Sequence, residues 1–297
     1  MSKPHILHMF SPLKHMSPFD VNMGLDAGFD AVLPYTNVTL EEVPGLVQDA
    51  IFSRAPQDGV RTGVFIAGKD AILALDMVQA AVGALVPPFG LSVFADPAGS
   101  FTTAAAMVAC VGKLLRETHG RGLEGLRAAI FGGTGVVAFS AAVILAGEGA
   151  RATLIGYDGP DRVAKAAGEI ARRFDLPVDS ADGSTDALKT EIVRDADLIF
   201  CAGRAGIRIL SRAQLEAARN LLVAADVNAV PPTAIEGLEP QAKGTPFMGA
   251  ALGIGPYAIG DVKYRTEAGL FRRMIEADAP VTLDFRDAFT LARELAG

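Results

Sequence analysis

The chain has 297 residues, half of them hydrophobic and 21% charged. That is material for about two domains and a large core, so neither disulfides nor structural metals are needed to hold the fold. The formal charge of −7, without any dense Lys/Arg tract, excludes a nucleic-acid footprint, and the two widely separated cysteines, Cys110 and Cys201, exclude a disulfide framework and a multi-cysteine metal site.

In chain order, Met1–Phe10 lacks the apolar core of a signal peptide. Ile6–Phe10 reads as a buried strand, and Asp20–Gly28 as a helix stopped by Gly28. Ala31–Pro34 is a second strand. Thr39 is placed to cap a helix whose first turn carries Glu41 and Glu42, where the helix dipole favours acids. Thr62–Ala67 is a strand, Asp70–Val86 a long amphipathic helix ended by Pro87 and Pro88, and Val93–Ala95 a strand before Asp96. Strands separated by helices predict a parallel sheet with crossovers. Thr102–Leu115 is an Ala-rich buried helix suited to run between domains, and Glu117–Leu126 reads as the boundary. A second alternation of strand and helix runs from Leu126 to Val230 and stops at Pro231-Pro232. A Gly-rich stretch, Gly249–Gly260, precedes two closing helices, Tyr264–Ala277 and Asp284–Leu295. No apolar run reaches the roughly 18 residues of a membrane span without Gly or a charge, so a cytoplasmic protein without membrane contact is expected.

The strongest local signal begins at Ala128. A short apolar strand leads into Gly132-Gly133-Thr134-Gly135-Val136-Val137-Ala138 and then an apolar helix through Leu145. Gly133, Gly135 and Ala138 match the G-x-G-x-x-A dinucleotide fingerprint. Gly133 is read as the tight-turn residue, Gly135 as the point where backbone approaches a pyrophosphate, and Ala138 as the small helix–strand contact. The helix start offers free N–H groups to phosphate. A second strand, Ala152–Gly156, ends in Tyr157-Asp158, near the offset of roughly 20 residues expected for the acid that binds the adenosine ribose. Asp158 favours NAD over NADP, unless Arg162 and Lys165 compensate a 2′-phosphate; alternatively it only starts a turn. Two further strands, Asp197–Cys201 and Leu221–Ala225, end in Ala202-Gly203 and Asp226-Val227-Asn228. There ribose and nicotinamide are expected, although Asp226 and Asn228 are equally suited to cap the strand end. The expected fold is α/β: a Rossmann-type parallel-sheet cofactor domain over residues 119–259, and a second α/β substrate domain over residues 1–118, joined by the helices of residues 260–297.

Several stretches outside that fingerprint carry a more specific likeness. They are Leu13–Asn22, Phe52–Thr62, Phe94–Ala104, Phe131–Val137, Ala225–Pro232, Ala251–Gly255 and Gly260–Tyr264. With them the chain resembles, over essentially its whole length, the methylene-tetrahydromethanopterin dehydrogenases of methylotrophic bacteria, close to the form that accepts NAD. The resemblance implies a reaction of one-carbon metabolism. The methylene bridge of methylene-tetrahydromethanopterin gives a hydride to NAD or NADP and leaves the methenyl form, with no metal. It implies a pterin cleft between the two domains, with Asp20, Thr102 and Lys263 as candidates for the chemistry and Lys14, His15, Asp96, Ser100 and Thr103 as substrate-binding candidates. The NADP-preferring relatives carry a basic residue after the second-strand glycine. Tyr157-Asp158 stands there instead, which favours NAD.

Other readings of these residues stay open. Asp20, Thr102 and Thr103 are also suited to helix starts, and Lys14 and His15 to a solvated loop. Lys263, placed near a helix start, sits where the dipole disfavours a cation, which supports a ligand or carboxylate partner. The alternatives for function are a methylene-tetrahydrofolate dehydrogenase, a shikimate-type dehydrogenase and a non-catalytic NAD(P)-binding regulator. A homo-oligomer with a small-molecule pterin as its partner is expected.

Overall fold

The computed structural model describes residues 3–297. The chain forms two compact units, one comprising the chain up to Thr102 together with Tyr264–Leu291, the other Thr103–Lys263 with Ala292–Gly297. The sequence reading puts the boundaries at 118 and 260; these units divide inside three helices, after Thr102, Lys263 and Leu291.

In chain order the first unit starts with β1 (Ile6–Phe10), α1 (Pro18–Ala27), β2 (Ala31–Tyr35), α2 (Val43–Phe52), β3 (Thr62–Ile66), α3 (Ala71–Gly83) and β4 (Ser92–Ala95). Helix α4 (Ser100–His119) leads to β5 (Arg127–Phe131), α5 (Val136–Gly147), β6 (Arg151–Gly156), α6 (Asp161–Phe174), β7 (Asp179–Asp182), α7 (Asp186–Asp195) and β8 (Leu198–Cys201). Then come α8 (Arg212–Leu215), β9 (Val223–Asp226), β10 (Lys243–Met248), β11 (Ala251–Ile254), α9 (Pro256–Glu276), β12 (Thr282–Leu283) and α10 (Phe285–Ala296).

The first unit's sheet has the order β12-β4-β3-β1-β2, and every pairing is parallel. The central strand β3 is buried at all five positions, as expected for a strand covered on both faces. The register aligns Phe10 with Ile66 and Ile66 with Ala95, so three strands end level. In the second unit the order is β10-β11-β9-β8-β5-β6-β7, parallel except for the hairpin β10–β11. Running outward from β5 to β6 and β7, then returning to β8 and β9 on the other side, is the Rossmann order. Helix α5 is buried along Ala138–Leu145, which explains why its sequence is apolar on every side.

Several elements differ from the sequence expectation. Helix α1 starts at Pro18, whose fixed φ suits a first helical position, with Ser17 as N-cap. Thr39 caps a single 3-10 turn through a reciprocal capping box with Glu42, and α2 follows. The Gly-rich stretch supplies the turn and second strand of the β10–β11 hairpin and the start of α9, which begins at Pro256 rather than Tyr264. Lys263 therefore lies more than a turn inside a helix, and the dipole argument for its having a ligand or carboxylate partner falls. The span Pro97–His119 is long and apolar enough to cross a membrane by composition, and 67% of its apolar window is buried inside the protein.

Candidate functional site

In the second unit, β5, β6, β8 and β9 end level: Phe131 pairs with Ile155 and Cys201, and Cys201 with Asp226. The order of strands reverses between β5 and β8, and open α/β sheets bind ligands beyond the carboxyl ends at such a switch point. A cavity of about 440 Å³ lies there. Its walls include Gly132, Thr134 and Gly135 after β5, Gly156 at the end of β6 and Tyr157 after it, Gly183 after β7, Ala202–Arg204 with Ile207–Ile209 after β8, and Lys189 of α7.

The glycines have separate duties. Gly132 takes a left-handed φ of +85°, and a Cβ there would fall 2.7 Å from the Ala202 carbonyl. It is thus the tight-turn residue, a duty that the fingerprint spacing assigns to Gly133. Gly133 instead lacks a side chain for packing: a Cβ would meet Val163 Cγ2 at 2.8 Å and the Ile155 backbone at 2.9 Å. Gly135 is the N-cap of α5 in ordinary extended geometry, and its N–H donates to the Gly132 carbonyl at 2.9 Å. Val136 and Val137 form the first turn, whose amides have no acceptor within the helix. Ala138 is fully buried.

Next to Tyr157, the exposed carboxylate of Asp158 accepts a bond from Arg162 Nη1 at 2.7 Å. Asp226 and Asn228 do not line the cavity. Asp226 is fully buried, and its carboxylate accepts from the N–H groups of Asn228 (2.8 Å), Ala234 (2.7 Å) and Ile235 (3.1 Å). Burial raises its pKa above the ordinary carboxylate range, against those bonds. The Asn228 side chain accepts from Gly206 and Val230 and donates to the Pro232 carbonyl. The N–H of Val227 donates to the Cys201 carbonyl. This group shapes the loops after β8 and β9. Asp226→Ala would strand three amides in a dry site, and an equilibrium urea titration is expected to show a loss of about 3 kcal/mol. A loss within about 0.5 kcal/mol, ordinary for surface positions, would show the network to be dispensable. Burial pushes the neighbouring Cys201 thiol far up, so it is a packing group and not a nucleophile.

The first unit has a cavity of its own, about 460 Å³, beyond the level ends of β1 and β3. Ser11, the loop Leu13–Pro18, Ala67–Lys69 and Ala98 line it together with Asp20. The structure thus brings Lys14, His15 and Asp20 into one pocket. Lys14 and His15 are exposed, whereas Asp20 is only 2% exposed, in the first turn of α1.

Asp96 and Thr102 are fully buried. Asp96 Oδ1 accepts from the N–H of Phe101 (2.8 Å) and Thr102 (3.2 Å), and Oδ2 accepts the Thr102 hydroxyl at 2.5 Å. The pair caps the start of α4. Ala98, at φ +54°, bends the chain so that Asp96 reaches back to those amides; left-handed geometry costs a non-glycine residue roughly 1–2 kcal/mol. Ser100 and Thr103 stand half-buried in the same first turn. Lys263 belongs to the second unit and does not line this pocket.

Sequence reasoning missed Gly183, Lys189 and Ile207–Ile209 in one cavity, and Ser11, Ala67–Lys69 and Ala98 in the other. Most follow directly on strand ends, which is the signal that could have found them. Lys189 lies on a helix: its Nζ donates to the Ile209 carbonyl at 3.2 Å, a placement only the fold reveals. Among the described residues, no three His, Cys, Asp or Glu side chains gather in a way that would hold a metal ion.

The family described as methylene-tetrahydromethanopterin dehydrogenase, N-terminal, matches residues 18–98. Over 293 residues, 98% of this chain and 99% of the relative, the chain is 56% identical to the NAD(P)-dependent methylenetetrahydromethanopterin dehydrogenase of Methylorubrum extorquens (strain AM1). It is 33% identical over 296 residues, the full length of both, to the Bifunctional protein MdtA of the same organism. The solved shikimate 5-dehydrogenase from Listeria monocytogenes, in complex with shikimate and NAD, matches with a TM-score of 0.50 at 14% identity, covering 91% of each chain, a likeness of fold alone.

Proposed function

The chain belongs to the methylenetetrahydromethanopterin dehydrogenase family, and from that premise we propose that it oxidises methylene-tetrahydromethanopterin to the methenyl form with NAD(P)+ as hydride acceptor. The observation that carries this reading is the glycine loop at the head of α5, over the switch point of a Rossmann sheet. Gly132 and Gly133 let the loop pass where a side chain would collide with the neighbouring backbone, and the α5 amides beyond it favour phosphate.

In this reading Gly133, Thr134, Gly135, Val136 and Val137 hold the pyrophosphate. Asp158 and Arg162 meet the adenosine ribose. Ala202, Gly203 and the Asp226–Asn228 loop border the nicotinamide half, with Asp226 and Asn228 acting by fixing the loop. The cofactor, when bound, supplies the nicotinamide ring that takes the hydride. NAD+ is the favoured cofactor, because Asp158 accepts the ribose 2′-hydroxyl and repels a 2′-phosphate.

The pterin pocket is assigned to the first unit. The hydride donor is a carbon between two nitrogens, and a cation remains when hydride leaves. A buried carboxylate stabilises that developing charge more than the neutral ground state. Asp20 has this role, Lys14 and His15 bind polar groups of the pterin, and Ser100 and Thr103 border it. Asp96 and Thr102 serve by fixing the α4 start. No proton need be abstracted, so placement of the two reactants is the main task.

Lys263 does not line this pocket and carries over from the resemblance alone as a ligand for a polar group of the pterin, felt equally in the ground and transition states. Lys263→Met is therefore expected to raise the pterin KM several-fold and spare kcat. A fall in kcat at unchanged KM would assign it to the chemistry instead. The test of the function itself is a spectrophotometric assay of the purified protein, crossing NAD+ and NADP+ with methylene-tetrahydromethanopterin and methylene-tetrahydrofolate. Pterin-dependent reduction of either cofactor is the expected result; cofactor binding with no turnover of either pterin would overturn it.

A further inference from the structure

Resting on the reading of the first unit's cavity as the pterin pocket, we propose that Lys69, together with Lys14, determines specificity by binding an anionic group on the side chain of the reduced pterin. The side chain of methylene-tetrahydromethanopterin carries a phosphodiester and carboxylates, and that of methylene-tetrahydrofolate carries carboxylates. The shared chemistry is an acidic tail remote from the carbon that loses hydride.

The two ammonium groups reach the cavity from separate loops. Lys14 follows β1 and Lys69 follows β3, and those strands end level, Phe10 beside Ile66. Gly68 turns the chain between β3 and Lys69 at a φ of +132°, where any side chain would be strained. The turn thus brings Lys69 to the cavity wall. Both lysines are exposed while lining the cavity, so they stand at its mouth, whereas Asp20 is buried in its wall. Among the described residues neither ammonium has a hydrogen-bond or ion-pair partner. The acid next in sequence, Asp70, is committed elsewhere: its carboxylate caps α3 by accepting the Leu73 N–H at 2.9 Å. The chain has eight lysines and a formal charge of −7, so two unpaired ones on a cavity whose single carboxylate is Asp20 make a local excess of positive charge. That excess runs against the reaction. A cation develops beside Asp20, and uncompensated ammonium groups nearby raise its energy. A ligand that brings its own anion to the mouth removes the conflict. It pairs with the lysines and leaves the field of Asp20 to act on the reacting carbon. A neutral side chain leaves the two charges unpaired, and that difference is the discrimination.

The experiment measures initial rates at saturating levels of the better of NAD+ and NADP+. The substrates are methylene-tetrahydromethanopterin, its derivative amidated at the tail carboxylates, and its derivative cut at the tail phosphodiester. Lys69→Gln is expected to raise the KM for the intact pterin about fivefold at unchanged kcat, the upper range for an exposed ion pair. The double variant Lys14→Gln/Lys69→Gln should raise it at least about tenfold. Lys69→Arg keeps the charge and should stay within about twofold of the wild-type KM. With the cut substrate the wild-type protein should already show the raised KM, and Lys69→Gln should add nothing, as expected when both changes delete one interaction. If the amidated substrate loses as much as the cut one, the bound anion is a carboxylate; if it behaves as the intact one, the anion is the phosphate. Added salt should raise the wild-type KM and leave that of the double variant unchanged. An unchanged KM in Lys69→Gln, or an equal rise with intact and cut substrates, would overturn the pairing and leave the dehydrogenase reading standing. No turnover of any reduced pterin by the wild-type protein would overturn both.

Discussion

Asp20→Ala is expected to lower kcat and kcat/KM together, by about 10²–10³, the usual scale for one preorganised electrostatic group. The side chain is 2% exposed yet lines the pocket of the first unit. A carboxylate in such a place is poorly solvated, so its field at a neighbouring atom is screened less than in water. It acts on the charge that appears only as hydride leaves, and so it lowers the barrier rather than tightening the Michaelis complex. Asp20→Asn keeps the shape and removes the charge, so it should lose most of the same factor. A helix-capping role predicts something else. Asp20 occupies the first turn of α1, where an acid contributes about 0.3–1 kcal/mol through the dipole. A variant that melts lower but turns over at the wild-type rate would assign Asp20 to the helix and overturn the proposed chemistry.

Gly135→Val should weaken NADH binding at least about tenfold, or about 1.4 kcal/mol, while the protein stays folded. Gly135 has ordinary extended backbone angles, and a Cβ there would lie 3.2 Å from the Gly132 carbonyl, a tight contact that a small shift relieves. The branched methyls, however, occupy the space where a pyrophosphate must meet the helix amides. Gly132→Ala is the informative contrast. It combines a left-handed φ with a Cβ 2.7 Å from backbone, so its effect belongs to folding and should appear in a thermal melt. Unchanged NADH affinity in folded Gly135→Val would remove the loop from the cofactor site.

Much of this protein was legible in one dimension because its signals are local. A buried parallel strand is a short apolar run, and Ile6–Phe10 and Arg127–Phe131 stand where such runs occur. Strand, glycine turn and helix within a dozen residues are the pattern of a phosphate loop, readable without any knowledge of the fold. The stretches shared with the methylene-tetrahydromethanopterin dehydrogenases named the family, and the near-full-length identity bears that out. Short or irregular elements were not legible. Strand β12 has two residues and pairs only with the distant β4, and β11, inside a Gly-rich segment, takes its place in the sheet from the distant β9.

The sequence by itself determined the α/β class and a glycine turn between strand and helix at Gly132–Gly135, since backbone freedom and hydrophobic period are properties of adjacent residues, while its resemblance to that family pointed to the dehydrogenase. Only the tertiary structure decided which polar groups line a cavity. Asp96 and Asp226 look as functional as Asp20 when read in a line. Folding turns the first two toward backbone amides, because a buried carboxylate must satisfy its oxygens with whatever donors the chain brings near. It sets Asp20 at the wall of a cavity beside Lys14 and His15, because the level ends of parallel strands leave room there for a ligand rather than for more chain.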